Sequence, residues 1–451
     1  MNKVYQIKDK VRVRPGNTRV SSRIIILSIV LIITIILVSM IYNKFFRADE
    51  LEMKLDFPGS MTDSLTFGNQ KSTQEMKKMF LLKLTDNGGV LEYYQIAGKA
   101  GNPPARISDS MIFDDQLELL SFYAEQKNEK EFNKMNNWLK DKFQTDDGFF
   151  VRNILSNKQQ KPDRTKTSDG TYDSSGAYVV DVASHIRYCR ILIEAYDRFG
   201  KPVYLETAKD LAGLIYPLCK ENDILPAGSK IALPQDTPTP DYAATPIPKS
   251  TITPVVDESK IKYMNALDLA SIDLYALKIL ASIDVKWEPI YSNCADIVKK
   301  SVLNAPIPLF HAGYEIEKNS YIPYLYNSPE FIFEDQMKIT LHLAEISELN
   351  ESTFSYLKQQ LFNTRSFFQR YSMLTGIAST ENESITGYAM MARIARIRQD
   401  KELYELCIGR IAWNSATSPD STIYQLPFRT MEDGGIRTFS IDVIRTLQAL
   451  F

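Results

Sequence analysis

Apolar residues recur at spacings of three and four along most of the chain after about residue 72, the pattern of amphipathic helices. Strand-like alternation is sparse, at 89–94 and 149–154. Turn signals such as Asp147-Gly148 and Phe199-Gly200 join the periodic segments in pairs. The pattern predicts twelve helices, at 73–84, 109–127, 129–143, 176–199, 203–220, 262–282, 288–303, 331–348, 352–371, 386–398, 401–413 and 438–450. A solenoid would show a fixed repeat period, and the sequence has none. We therefore predict an all-α ring of helical hairpins, an (α/α)6 barrel or six-hairpin toroid.

The N-terminal part of the chain has a different pattern. Residues 24–42 are apolar except for Ser28, Thr34 and Ser39, and at about 1.5 Å per residue they span a bilayer core of roughly 30 Å. Seven Lys and Arg residues precede this run, which predicts a cytoplasmic N-terminus and an extracellular main body. No small-residue cleavage site follows, so a retained anchor is favoured over a cleaved signal peptide.

The predicted organisation follows from these patterns. We predict a cytoplasmic basic tail at 1–23, a single transmembrane helix at 24–42, a linker at 43–70 and the α/α toroid at 71–451. Six prolines and many threonines exclude a helix within 231–256. Because the helical pattern resumes at about residue 261, this Pro/Thr-rich stretch is interpreted as an insertion within one domain.

Composition removes several classes of function. The chain has 53 basic and 55 acidic residues and therefore lacks the excess of basic residues that would indicate a nucleic-acid partner. The four cysteines are scattered without CxxC spacing and are interpreted as small buried hydrophobic residues. The three histidines, His185, His311 and His342, are far apart and do not indicate a zinc site.

A carboxylate stands at the start of the first long helix of the body. Ser108 is a predicted N-cap, and Asp109 then lies in the first turn, where an acid suits the positive end of the helix dipole. A first-turn charge without any further role is one interpretation of Asp109. A catalytic acid is the other.

Several blocks in the body resemble glycoside hydrolase family 8. Residues 108–113, Ser-Asp-Ser-Met-Ile-Phe, resemble the family's Ser-Glu-Gly-x-x-Tyr block, and Phe-Glu-Asp-Gln-Met-Lys at 333–338 stands where the family has Tyr-Asp-Ala-x-Arg. Further similar blocks are 132–138 with the turn at 146–149, 265–291, and the helix at 387–397. The resemblance covers about residues 85–451 and implies an (α/α)6 barrel that cleaves a β-linked polysaccharide with inversion.

The resemblance implies a two-carboxylate mechanism with named residues. Asp109 takes the place of the family's acid glutamate, which makes the side chain one methylene shorter, and the base is Asp335 or, if the register slips by one, Glu334. The predicted substrate-binding residues are Asp181, His185, Phe113, Tyr321 and Tyr324. His185 is equally compatible with a buried core position, and the two tyrosines with core packing rather than sugar stacking.

Three functions are compatible with these features. The first is a glycoside hydrolase on the outer face of the cell membrane, acting on a polysaccharide and requiring no cofactor or metal. The second is a catalytically inactive glycan-binding relative, which the shortened acid and the loss of the family's Asp-x-Asp-Leu-Asp block favour. The third is an extracellular helical scaffold for protein partners, which a large exposed apolar patch would indicate.

Overall fold

The structure is a computed structural model that separates into two compact units, Met1–Met53 and Lys54–Phe451. It describes residues 29–34, 70–98, 101, 104–156, 181–220, 222–226, 266–303, 307–323, 329–431 and 434–451. Of the predicted membrane span 24–42, only 29–34 belong to these ranges, and they are helical. Among the described helices, none has both the length and the apolarity that crossing a membrane requires. The linker 43–69 and the Pro/Thr-rich stretch 231–256 lie outside the described residues.

Twelve α-helices make up the described part of the second unit. They are α1 (Gln70–Lys83), α2 (Phe113–Glu125), α3 (Glu129–Phe143), α4 (Val182–Phe199), α5 (Pro202–Cys219), α6 (Leu274–Ile283), α7 (Glu288–Lys300), α8 (Phe333–Glu345), α9 (Glu351–Thr364), α10 (Ile385–Ile397), α11 (Lys401–Trp413) and α12 (Ser440–Leu450). The twelve predicted helices are therefore all present, most of them within a few residues of their predicted ends.

The even-numbered helices form a closed inner ring. Each packs against the next, α2 on α4, α4 on α6, α6 on α8, α8 on α10 and α10 on α12, and α12 packs back onto α2. The odd-numbered helices lie outside this ring. The prediction of an (α/α)6 toroid is confirmed for the described helices.

Burial along the helices explains which ones are inside. On α4 every residue from Val182 to Ala195 is buried except Ala183 and Arg187. On the outer helix α3 only one stripe is buried, at Phe132, Met135, Asn136, Leu139 and Phe143. A helix enclosed on all sides must be apolar or internally paired around its whole circumference, whereas an outer helix needs one apolar face.

Short strands precede four of the inner helices and mark one end of the ring. They are β5 (Ser110–Ile112), β7 (Ala266–Asp268), β10 (Glu330–Ile332) and β13 (Ile436–Phe439), leading to α2, α6, α8 and α12. Antiparallel partners hold each of them, and the partners are β6 (Asn153–Leu155), β8 (Gly313–Glu315) with β9 (Ser320–Ile322), β11 (Arg370–Ser372), and β12 (Arg429–Thr430) together with β3 (Tyr93–Ile96) and β4 (Arg106–Ile107). A further two-residue hairpin joins β1 (Thr85–Asp86) and β2 (Gly89–Val90). The N-termini of the inner helices therefore share one end of the ring.

The largest differences from the predicted helices occur at these strand-to-helix junctions. Helix α2 begins at Phe113, not at Asp109, because residues 110–112 pair with β6. Ser108 is consequently not an N-cap, and its hydroxyl group instead accepts from the Ser110 amide and donates to Glu92. Helix α6 begins only at Leu274, after β7 and a 3-10 turn.

Candidate active site

The candidate site lies where the N-termini of the inner helices meet. Helices α2 and α8 are three places apart in a ring of six, so they stand on opposite sides of the ring axis. Each carries two acids in its first turn, Asp114 and Asp115 on α2 and Glu334 and Asp335 on α8. Facing carboxylates across an open end are the arrangement that a two-carboxylate glycosidase needs.

Arg445 on α12 connects the two sides below this opening. Its Nη1 atom donates to Glu334 on α8 at 2.8 Å, and its Nη2 atom donates to Glu118 on α2 at 3.1 Å. Burial alone would raise the pKa of Glu118, but the charges of Arg445 and Arg187 outweigh it and lower that pKa to about 2. The floor of the opening is therefore a fixed, ionised bridge and not a proton-exchanging group.

Glu334 and Asp335 are adjacent in sequence but differ in their electrostatics. Burial would raise the pKa of Glu334, yet Lys338 and Arg445 hold it well below its usual range, and Thr386 donates to the same carboxylate at 3.2 Å. Burial raises the pKa of Asp335, and Lys338, at 3.5 Å, offsets only part of this shift. Of the two predicted bases, Glu334 is therefore paired with two cations, whereas Asp335 keeps a raised pKa.

Asp109 lies in the turn between β4 and β5, four residues before α2 begins. Its carbonyl oxygen accepts from the Ser156 amide at 2.8 Å, and its side chain is exposed. The residue is therefore positioned by the pairing of β5 with β6, at the same end of the ring as the first turn of α2. Exposure leaves its carboxyl group accessible to a bound chain.

The first turn of α2 is tied to the neighbouring helix α4. Ser184 donates to the Asp114 carboxylate at 2.7 Å, and Arg187 lies 3.8 Å from Asp114 and 3.6 Å from Glu118. Arg187 is only partly exposed, and two carboxylates balance the charge of its guanidinium group. Burial, reinforced by the charge of Asp114, raises the pKa of Asp115 well above its usual range.

A second charged cluster lies deeper on the ring axis. Arg190 donates to Asp273 at 3.1 Å and to Glu345 at 2.9 Å, and His342 Nδ1 lies 3.1 Å from Glu345. The ligand atoms of Asp273, His342 and Glu345 lie within 4.8 Å of one another, a spacing that a metal ion could use. The guanidinium of Arg190 already supplies the positive charge there, so these donors fit an internal ion pair.

Two of the predicted substrate-binding residues belong to the core. Phe113 is 2% exposed and stacks on Phe150 with ring centroids 5.1 Å apart. His185 is fully buried, its Nδ1 lies 2.6 Å from the Asp181 carbonyl oxygen, and its Nε2 accepts from the Phe150 amide at 2.9 Å. Neither enclosed side chain fits the predicted contact with substrate, and for His185 the alternative of a hydrogen-bonded core residue is the one found.

The remaining predicted substrate-binding residues lie nearer the surface. Asp181 is half-buried and caps α4 by accepting from the Ser184 amide at 3.2 Å. Tyr321 donates to the Ile297 carbonyl oxygen at 2.8 Å and stacks on His311, so it is held as a packing residue on β9. Tyr324 lies outside the described residues.

Sequence reasoning missed Asp268, which lies at the same end of the ring. Its Oδ1 atom accepts from the Ala270 amide at 3.0 Å. Burial, and then the charge of Asp335, raise the pKa of Asp268 to about 6. The only sequence signal was an acid between two leucines inside a segment predicted as one continuous helix.

Comparison with solved structures supports this architecture. An alpha-amylase from Clostridium perfringens superimposes with a TM-score of 0.63 at 18% identity, covering 85% of this chain and 98% of that one. PssZ from Listeria monocytogenes gives 0.55 at 15% identity, covering 84% and 94%. A cold-adapted family 8 xylanase gives 0.51 at 13% identity, covering 87% and 93%. The chain has the six-hairpin fold of a family 8 glycosidase.

The expected resemblance is therefore confirmed for the fold of the chain. No protein-family model matches the sequence, and no curated protein matches it either. At 18% identity or less, these structures share the six-hairpin fold with this chain but do not identify its reaction. Its solved neighbours carry names from more than one kind of glycan chemistry, an amylase and a xylanase.

Proposed function

We propose that this protein is a glycoside hydrolase that cleaves a polysaccharide by inversion, held on the outer face of the cell membrane by the segment 24–42. The observation that carries the proposal is the opposite placement of α2 and α8 in a closed ring, with Asp109 in the turn that leads toward α2 and Asp335 in the first turn of α8. A sugar chain lying across this end would have a carboxyl group on either side, as inversion requires.

Asp335 is proposed as the general base. It takes a proton from a water molecule, whose oxygen attacks the anomeric carbon. Its pKa is raised by burial, which makes it a stronger base than an exposed aspartate, while Lys338 at 3.5 Å keeps it anionic before the reaction. Glu334 serves instead to anchor Arg445 and Lys338 at the floor.

Asp109 is proposed as the general acid. As the glycosidic bond breaks, its electron pair stays on the leaving oxygen, which takes the proton from Asp109. An exposed aspartate on a turn can reach a chain lying over the opening, although its side chain is one methylene shorter than the family's glutamate. We expect slower catalysis than in a site with a glutamate, because small misplacements of a proton donor cost up to about a hundredfold.

The substrate is proposed to be a β-linked polysaccharide, as the resemblance to family 8 implies. The xylanase among the solved neighbours agrees with this linkage, and the alpha-amylase makes starch the necessary comparison. The predicted topology would place the site outside the cell, where exported or surface-bound polysaccharides occur.

Release of reducing ends tests the proposal. The wild type, Asp335→Asn and Asp109→Asn are incubated with β-glucans, chitosan, xylan and starch. We expect release from a β-linked substrate, and a loss of roughly a hundredfold to ten-thousandfold in either variant, the usual contribution of a general acid or base. Glu402→Gln, which changes an exposed first-turn acid on the outer helix α11, is the control and should keep full activity.

The outcomes separate the candidate functions. Release from starch alone would overturn the β-linkage, and equal activity of the wild type and Asp335→Asn would overturn the assigned base. A non-hydrolytic glycan-binding protein is the second candidate, favoured by the shortened acid at Asp109. Binding of a polysaccharide by the wild type without any release of reducing ends would identify that function instead.

A further inference from the structure

Asp268 lies next to the proposed base, although it comes from a different hairpin. It is the last residue of β7, where it pairs with Gly313 on β8, and it directly precedes the 3-10 turn Leu269–Ser271. This turn packs against α8, which carries Asp335 in its first turn. The fold therefore places Asp268 beside Asp335 at the open end of the ring.

Charged groups from two inner helices act on the Asp268 carboxyl group. Helix α8 contributes Asp335 and Lys338, and helix α4 contributes its N-cap, Asp181. Asp335 and Asp181 repel an ionised Asp268, whereas Lys338 attracts it. Lys338 is already shared between Glu334 and Asp335, at 3.5 Å from each, so it neutralises Asp268 only in part.

The local hydrogen bonds leave part of the Asp268 carboxyl group available. Oδ1 accepts from the Ala270 amide at 3.0 Å, and among the residues that the structure describes no donor reaches Oδ2. On the adjacent strand β8, Glu315 is paired with Lys318 at 2.8 Å, and the Tyr314 hydroxyl group bonds to Asn319. These neighbours are thus engaged with each other and not with Asp268.

A half-protonated carboxyl group suits a sugar hydroxyl group well. Burial and the charge of Asp335 raise the pKa of Asp268 to about 6, so the group retains its proton to a higher pH than an exposed aspartate does. A protonated carboxyl group donates through one oxygen and accepts through the other. A sugar hydroxyl group can do both in return.

We infer that Asp268 is a substrate-binding residue of the reaction centre, which donates a hydrogen bond to a hydroxyl group of the sugar unit held over Asp335. The inference rests on the proposed function. The competing account is that Asp268 only caps the 3-10 turn. Asp284 offers the comparison, because it caps the 3-10 turn Val285–Trp287 in the same way, accepting from Lys286 at 3.2 Å near the surface.

The experiment compares Asp268→Ala, Asp268→Asn and the control Asp284→Ala. kcat/KM is measured from about pH 4 to about pH 8 on the polysaccharide that the wild type cleaves, together with its binding affinity. We expect Asp268→Ala to lower kcat/KM about tenfold to a hundredfold, the effect of losing one buried hydrogen-bond partner. Asp268→Asn should stay within roughly threefold of the wild type near pH 5, because its amide group still donates.

The pH profile is the readout that a purely structural role would not change. In the wild type, kcat/KM should fall as the pH rises through about 6, since the proton that Asp268 donates is lost. In Asp268→Asn the decrease of kcat/KM near pH 6 should be absent, because an amide does not titrate. Asp284→Ala should keep the wild-type profile and activity.

The outcomes distinguish this inference from the proposed function. Wild-type cleavage with unchanged activity in Asp268→Ala, or an unchanged pH profile in Asp268→Asn, would overturn the inference and leave hydrolysis intact. Polysaccharide binding without cleavage would overturn hydrolysis, and a loss of affinity confined to Asp268→Ala would still support the inference. A wild type that neither binds nor cleaves any of the polysaccharides would contradict both.

Discussion

At the scale of single residues, the site shows how neighbours with the same chemistry acquire different roles. Glu334 and Asp335 are consecutive, but Glu334 accepts from Arg445 across the ring at 2.8 Å, whereas the cation that pairs with Asp335 is Lys338 at 3.5 Å. Two strong cations fix the first as an anion, and partial compensation leaves the second able to take up a proton. The two acids therefore differ mainly in the direction of their side chains from the first turn of α8: Glu334 points toward Arg445, and Asp335 does not pair with it.

Asp115 provides a residue-scale prediction about stability. Its pKa is raised well above the ordinary value of 3.8, chiefly by burial and then by Asp114. The ionised carboxylate is therefore less favourable in the folded protein than in the unfolded chain, and this costs stability at neutral pH. We expect Asp115→Asn, which resembles the protonated group, to raise the free energy of unfolding at pH 7 by about 1 kcal/mol.

The sign of this effect sets its pH dependence. A raised pKa gives stability that is complete below the unfolded value of 3.8 and is lost as the pH rises toward the folded value. Urea unfolding should therefore show the gain of Asp115→Asn at pH 7 and its disappearance near pH 3. A gain of equal size at both pH values would contradict burial of a titrating carboxyl group.

Individual site residues were predictable only where the sequence alone determines their surroundings. Glu334 and Asp335 lie near the start of the helix predicted at 331–348, and in the structure they lie in the first turn of α8. Phe113 and His185 were assigned to the substrate, but both fill the core between α2 and α4. Asp268 was missed because its importance arises from Asp335, which is distant in sequence and adjacent only after ring closure.

At the scale of elements, the helices were predictable because their apolar spacing is long and regular. The short strands that precede the inner helices were not predictable, because three residues are too few for an alternating pattern to be recognised. Residues 110–112 and 266–268 continue the apolar character of the helix that follows, and only pairing with β6 and β8 reveals them as strands. Tertiary pairing thus overrides local periodicity at the end of the ring where the site lies.

Close packing of the inner helices gives an element-scale prediction. A Cβ atom added to Gly387 on α10 would lie 2.8 Å from Phe333 Cε1 on α8, which is too close for an unstrained contact. We expect Gly387→Ala to lower the free energy of unfolding by about 1–3 kcal/mol, the usual cost of overpacking. Thermal and urea unfolding would measure it.

An outer helix supplies the matched control for this substitution. Gly409 on α11 has open space where its Cβ atom would be. There the higher helix propensity of alanine should dominate, and Gly409→Ala should stabilise the protein by about 0.5–1 kcal/mol. Equal effects of the two substitutions would show that α8 and α10 can separate without cost.

At the scale of the whole molecule, the ring is closed by charge as well as by apolar packing. The six inner helices leave polar groups facing the axis, and these groups are paired between helices that are distant in sequence. Arg190 joins α4 to the N-cap of α6 and to α8, and Arg445 joins α12 to both α2 and α8. The bond from Arg445 to Glu118 joins the last inner helix to the first and can form only when the ring is complete, so it favours the closed arrangement over an open stack of hairpins.

Removal of Arg445 should therefore weaken the whole ring and not a single contact. In Arg445→Met, Glu118 and Glu334 would lose their shared cation, and each would keep only a longer contact, with Arg187 at 3.6 Å and with Lys338 at 3.5 Å. We expect the free energy of unfolding at pH 7 to fall by about 3 kcal/mol, the lower end of the usual cost of breaking an enclosed ion pair. Arg398→Met, which removes a surface partner of Glu351, should cost no more than about 1 kcal/mol.

At low pH, the free energies of unfolding of Arg445→Met and the wild type should differ less than they do at pH 7. The pKa of Glu118 is lowered to about 2 in the wild type, so its contribution is complete above the usual value of 4.5 and is lost as the pH falls toward 2. Arg445→Met lacks that contribution at every pH, and protonation of its two glutamates removes their repulsion. Urea unfolding at intervals from pH 7 to about pH 3 should show the two proteins converging, with a constant gap contradicting a charge-closed ring.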